Sequence, residues 1–90
     1  MKLKSILNNL QSGQGEIRPI IDYYAKTNKE WELFPYLTDP DISSLVVYIL
    51  NELPRVDPRI IEILHQLVGA GKITKKDRFW VDEILNNHSQ

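Results

Sequence analysis

The stretch Asp39–Leu53, DPDISSLVVYILNEL, constrains the fold more than any other part of the chain. Asp39 is a good N-cap residue, because its carboxylate accepts from the free N–H groups of a first helical turn. Pro40 suits the first helical position, where a missing N–H costs nothing and a fixed φ helps. Asp41 adds negative charge at the positive end of the helix dipole. Ile42, Leu45, Val46, Ile49, Leu50 and Leu53 then recur at helical spacing. Pro54 ends the run, since its ring drives Leu53 out of the α conformation. Polar residues keep only a narrow stripe: Ser44, Asn51 and Glu52, with Ser43 at its edge and Val47 and Tyr48 interrupting it. A helix apolar nearly all round is buried on most sides. The pattern therefore predicts a central helix with neighbours on at least two flanks.

Other segments read as shorter helices around it. Leu3, Ile6, Leu7 and Leu10 make a one-sided stripe over Lys2–Gln11, and Ser12-Gly13-Gln14-Gly15 turns the chain. Ile17, Ile20, Ile21 and Tyr24 line a helix over Glu16–Lys26, with Pro19 in its first turn and Tyr23 pointing away. Thr27-Asn28-Lys29-Glu30 fits a capping box for a third helix, Asn28–Leu37. Its expected inward face is Leu33, Phe34 and Leu37, with Trp31 at the border and Pro35 loosening it. Asp57-Pro58 repeats the N-cap logic for a helix over Pro58–Val68, lined by Ile60, Ile61, Ile63, Leu64, Leu67 and Val68. Gly69 suits the left-handed position that ends it. Thr74-Lys75-Lys76-Asp77 is an Asp variant of the capping box and opens a helix over Lys75–Asn87. Trp80, Val81, Ile84 and Leu85 are its expected inward face, Phe79 lies opposite, and the tail from Asn87 should fray.

The expected fold is thus all-α: about six short helices in three antiparallel hairpins, HEAT-like or an irregular bundle, in one domain spanning residues 1–90. An internal echo bears on that choice. Asp39-Pro40 recurs as Asp57-Pro58, and Ile42, Val46, Ile49 and Leu50 match Ile60, Leu64, Leu67 and Val68. The echo marks either a true helical repeat or two Pro-capped amphipathic helices that look alike. Leu33–Leu53, LFPYLTDPDISSLVVYILNEL, resembles a HEAT repeat over 21 of the 90 residues. Pro35, Asp39, Pro40 and the leucines and isoleucines that follow stand where that family has a proline near the end of its first helix and an Asp-Pro turn before its second. Ser43, Ser44 and Leu45 stand where the family usually carries a basic residue. The resemblance implies stacked helical hairpins that bind another macromolecule, without naming which.

Chemistry-bearing patterns are thin. Gly69-Ala70-Gly71-Lys72-Ile73-Thr74 shares letters with a phosphate-binding loop, but Gln66 stands where that motif needs glycine and Ile73 where it needs Ser or Thr. Glu62 and His65 share a helix face, two ligands where a metal wants three or four. No Ser/His/Asp order or paired-carboxylate pattern points to catalysis. The reading assigns no catalytic, cofactor or metal residue and expects a non-enzymatic protein. The chain has no cysteine, so disulfides and thiolate metal sites are excluded; with no bilayer-length apolar run, the expectation is a cytoplasmic protein without a membrane span.

Charge separates two binding readings. The net charge is −1, yet residues 30–62 hold seven of the 12 acidic groups and two of the 11 basic ones. An acidic middle can steer a basic partner. The leading expectation is a protein-protein interaction module, an adaptor or a small inhibitor or immunity-type protein. Its partner-binding residues would be Ser44, Tyr48, Asn51, Phe79 and Glu83: two aromatics ringed by polar groups. Against this, Tyr48 and Phe79 could instead be core. The alternative from another class is a helix-turn-helix DNA-binding protein using helices 58–68 and 75–87, with Lys75, Lys76 and Arg78 at the start of the recognition helix. The near-neutral chain argues against nucleic acid as the partner.

Overall fold

Six helical segments form, and the computed structural model describes residues 3–13 and 15–88. They are α1 (Leu3–Gln11), α2 (Arg18–Thr27), a 3₁₀ segment (Glu30–Tyr36), α3 (Ser43–Glu52), α4 (Pro58–Gly69) and α5 (Lys75–His88). No strand occurs among the described residues, so the all-α class is what the chain adopts. Lys2, Gln14, Ser89 and Gln90, assigned above to the first helix, the first turn and the tail, lie outside the described residues. Asn87 and His88, expected in the tail, belong to the last turn of α5.

The central helix is central. Val46, Val47, Ile49 and Leu50 of α3 are buried, and α1, α2, the 3₁₀ segment and α5 all pack against it. Its start differs from the expected one. Residues 40–42 form a turn and the α-helix begins at Ser43, so Asp39 is not its N-cap. Asp39 instead closes that turn: its Oδ1 accepts from the Asp41 N–H at 2.9 Å, and its carbonyl accepts from the Ser43 N–H at 2.8 Å. Asp57 does cap α4, accepting from the Arg59 N–H at 2.8 Å. The two Asp-Pro pairs are therefore alike in sequence and different in structure. The echo between them does not mark two equivalent helix starts.

The third helix shows why spacing misled. It is 3₁₀, not α, and the Thr27–Glu30 capping box does not form. Asn28 adopts the left-handed conformation at φ 56° and ends α2. The Thr27 hydroxyl donates to the Tyr23 carbonyl at 2.8 Å instead. Pro35 lacks the N–H that an α ladder would use and pushes Phe34 away from the α conformation. With three residues per turn, Glu30, Leu33 and Tyr36 line up on one side. Glu30 and Leu33 are buried, Tyr36 is half-buried, and Phe34 and Trp31 stay exposed. An α spacing had put Phe34 inside.

The turn from α4 to α5 also shifts by two residues. Gly69 remains helical, and Gly71 takes the left-handed position at φ 71°. The Lys72 N–H reaches the Leu67 carbonyl at 2.9 Å and the Gly71 N–H reaches Val68 at 3.1 Å, a Schellman closure. α4 packs on α5, the 3₁₀ segment on α3 and on α4, and α3 most closely on α5. α1 and α2 each lie against α3 and not against each other. The buried side chains of these elements form one apolar core.

Candidate binding surfaces

Where α3 meets α5 the contact is polar at its heart. Asp77 sits in the first turn of α5 and is buried. Its N–H meets Thr74 as a capping box requires, the hydroxyl at 3.4 Å and the carbonyl at 3.1 Å. Its carboxylate does not turn back to the cap. Oδ2 accepts from the Ser43 hydroxyl at 2.9 Å and Oδ1 from the Ser44 hydroxyl at 2.6 Å. A buried carboxylate is tolerated only when donors reach it, and here both oxygens are served. Ser44, expected on a partner surface, has its hydroxyl committed to this joint.

Asp77 also explains an error about Trp80. The inward arc of α5 is Asp77, Val81 and Ile84. Trp80 lies on the flank of that arc and is 45% exposed, where the apolar pattern had placed it inside. Phe79 is 61% exposed, and its ring meets Trp80 edge-on, with centroids 5.1 Å apart. Tyr48 on α3 is 42% exposed, which removes the core reading for it and for Phe79. Asn51 and Glu83 are half-buried beside these helices' exposed sides.

A second feature was invisible in the stripes. A groove of about 600 Å³ opens between α1, α2 and the 3₁₀ segment. Its walls are Leu3 and Ile6, then Ile20, Tyr23 and Tyr24, then Glu32 and Tyr36. Leu3, Ile6 and Ile20 read as core in sequence; they are half-buried because α1 and α2 lean on α3 without meeting. The Tyr23 and Tyr24 rings are 5.1 Å apart and edge-on. The Tyr24 hydroxyl is pushed up to about 12, first by burial and then by the negative charge of Glu32, with Tyr23 and Tyr36 adding. The tyrosines at 23, 24 and 36 were the one available signal. Nothing in the spacing says that they converge.

Three acidic groups of the middle, Glu30, Asp39 and Asp57, are engaged. Asp39 pairs with Lys4 at 3.0 Å, and the Lys4 ammonium and the Asp41 N–H hold its carboxyl below the ordinary range. Asp57 pairs with Arg59 at 2.7 Å and is lowered for the same reasons. The Arg59 guanidinium also lies 5.8 Å from the centre of the Trp31 ring. Glu30 is buried and its Oε2 accepts from the Asp57 N–H at 2.6 Å, tying the 3₁₀ segment to the start of α4. Among the described residues its Oε1 has no hydrogen-bond partner. At the start of α5, Lys72, Lys75 and Lys76 are exposed, whereas Arg78 pairs with Asp82 at 3.1 Å. His65 is exposed, and among the described residues no three His, Asp or Glu side chains gather as metal ligands. No helix among them is long and apolar enough to cross a membrane. Compared with known proteins, this chain matches no protein-family model, no curated protein and no solved structure.

Proposed function

We infer that the protein is a non-enzymatic module that holds a partner protein on the outer side of α3 and α5. The observation that carries this is the exposure of Tyr48, Phe79 and Trp80 on two helices that Asp77 joins through Ser43 and Ser44. Exposed aromatic rings are rigid and offer much area for little lost entropy, which makes them good anchors. Asn51 and Glu83 supply polar surroundings. Two further packings support a HEAT-like reading: the 3₁₀ segment pairs with α3 as α4 pairs with α5, and α3 and α5 then stack as second helices. An adaptor and a small inhibitor or immunity-type protein both fit this description. The test is capture from the source cell with the wild-type chain and with Tyr48→Ala, Phe79→Ala and Trp80→Ala combined. A partner retained by the wild type and lost by the folded variant supports the reading; equal capture by both sinks it.

One observation favours a DNA-binding second reading. α4 and α5 pack around the Gly71 turn with Lys72, Lys75 and Lys76 exposed at the start of α5. Against it, Arg78 is paired with Asp82 and the chain carries no net positive charge to draw a polyanion. A mobility shift on mixed-sequence DNA that weakens steeply with salt would establish this reading in place of the first.

A further inference from the structure

The groove is a different kind of surface from the α3–α5 face. Seven side chains line it, and Glu32 is the one formal charge among them. Leu3, Ile6 and Ile20 supply aliphatic wall, and the exposed Tyr23 and half-buried Tyr36 supply aromatic surface, with Tyr24 buried behind them. Glu32 is half-buried and has no ion-pair partner among the described residues. Lys4, the cation of α1 nearest in sequence to the lining residues, is held by Asp39 at 3.0 Å and feels Asp41 as well. Its charge is matched by these aspartates, although its ammonium also lies close enough to Tyr36 to act on that groove residue. A half-buried carboxylate beside apolar wall is best satisfied by a cation that brings its own apolar surface.

We propose that this groove binds a small organic cation, an ammonium carried on a compact apolar body. The ammonium meets the Glu32 carboxylate and the tyrosine faces, and the body lies on Leu3, Ile6 and Ile20. The size of the groove suits a small molecule. The cavity of about 600 Å³ falls inside the range of roughly 300–1,000 Å³ usual for ligand sites. The flanking helices are nine and ten residues long, so the groove walls run about 14 Å, a length that a compact molecule can fill. Tyrosine surface beside the Glu32 carboxylate suits a cation.

The test uses three probes of similar size: phenethylamine as the cation, phenethyl alcohol as its neutral match and hydrocinnamate as the anion. Each is titrated into the full chain at neutral pH and low salt, with amide chemical shifts as the readout. The cation should bind about tenfold tighter than the alcohol, the anion weakest, with added salt narrowing the gap. The shifts should centre on Ile6, Ile20, Tyr23, Glu32 and Tyr36. Glu32→Gln should bring the cation down to the alcohol's affinity and leave the alcohol unchanged. Tyr23→Leu keeps an apolar wall but removes a ring face, so it should weaken the cation and spare the alcohol. Urea melts confirm that each variant is folded, and either variant alone decides the matter if the other is not. Equal affinity for cation and alcohol, a cation preference that survives both variants, shifts centred outside the groove, or binding of none of the probes would each overturn the proposal.

Discussion

Where α3 meets α5, one buried carboxylate receives two hydroxyls and the helices close on each other. Where α1 and α2 flank the 3₁₀ segment, three tyrosines and three aliphatic side chains surround a cavity. Both places are built from helices that pack on α3. The difference lies in what each neighbour brings to the contact. α5 brings a polar group whose desolvation is tolerable only in close contact with donors, so the joint must be tight. α1 and α2 bring apolar stripes, and apolar burial is non-directional and grows with area, without demanding any one partner. A helix held that way can lean on α3 and leave its other flank half-covered. In this fold the specific joint is rigid framework, and the loosely specified one leaves room for a ligand.

The largest expected effect contrasts neighbouring residues on α1. Leu7 is fully buried, and Ile6 lies half-buried on the groove wall. Leu7→Ala should cost about 2–5 kcal/mol of folding free energy. Ile6→Ala should cost about 1 kcal/mol, because its site is already open to water and leaves little new cavity. Urea melts decide: equal losses would mean that the groove closes in solution.

Asp77→Ala attacks the joint and should cost about 2–4 kcal/mol, since it strands the Ser43 and Ser44 hydroxyls. Combined with Ser44→Ala, the loss should fall short of the sum of the two singles, because the pair shares one contact. Additive losses in denaturant melts would show that the bond seen between them contributes nothing.

The two regions also differ in how much of them could be read from sequence. The central helix, the stripes of α4 and the Asp57 cap follow from spacing and cap chemistry, which are local. Asp77 could be read as a cap because Thr74 stands three residues before it, and that cap half-forms. Its second role, receiving Ser43 and Ser44, joins residues more than thirty positions apart and leaves no mark in local pattern. Trp80 was misplaced for the same reason: with Asp77 inside, the arc of α5 rotates away from it. Phe34 was misplaced because its segment winds with three residues per turn, and Pro35 was the only hint of that. The groove has no sequence signature, since it is defined by two helices that fail to meet.

Alkaline pH probes the groove side through Tyr24. Tyr24 ionises at about 12 in the folded chain and near the ordinary value of about 10 when unfolded. Between those values the unfolded chain binds fewer protons. The contribution of Tyr24 is therefore fully present below about pH 10 and is lost as pH rises toward 12. Tyr24→Phe should flatten the decline of stability with pH in that window. A variant curve parallel to the wild type would mean that Tyr24 is not shielded as its surroundings imply.

Acid acts elsewhere, at the start of α4. Asp57 is lowered below about 3.9, so its contribution is present above that value and fades as pH falls through its folded value. Asp57→Ala should cost about 0.5–2 kcal/mol at neutral pH, as an N-cap loss does. Asp57→Asn keeps a capping acceptor and removes the ion pair with Arg59, so it should cost less and lose the acid dependence. If the asparagine and alanine variants melt alike, the ion pair and not the cap carries the contribution of Asp57.

The smallest folding effects belong to the outer side of the joint, and that is what makes them informative. Tyr48→Ala, Phe79→Ala and Trp80→Ala should each cost less than about 1 kcal/mol of stability, because these rings already face solvent. Phe79 and Trp80 touch each other edge-on, so removing both should cost slightly less than the sum. A loss of about 3–5 kcal/mol for any one of them would mean a buried ring. That outcome would move the residue from binding surface to core and take the proposed partner site with it. The expected small losses leave well-folded variants whose binding can be compared directly with the wild type. Each true anchor should then cost more than about 2 kcal/mol of binding to a captured partner. The rings on α3 and α5 would then act on a partner across the joint that Asp77 holds, whereas Glu32→Gln, which changes a groove residue that neither helix carries, should leave that binding untouched.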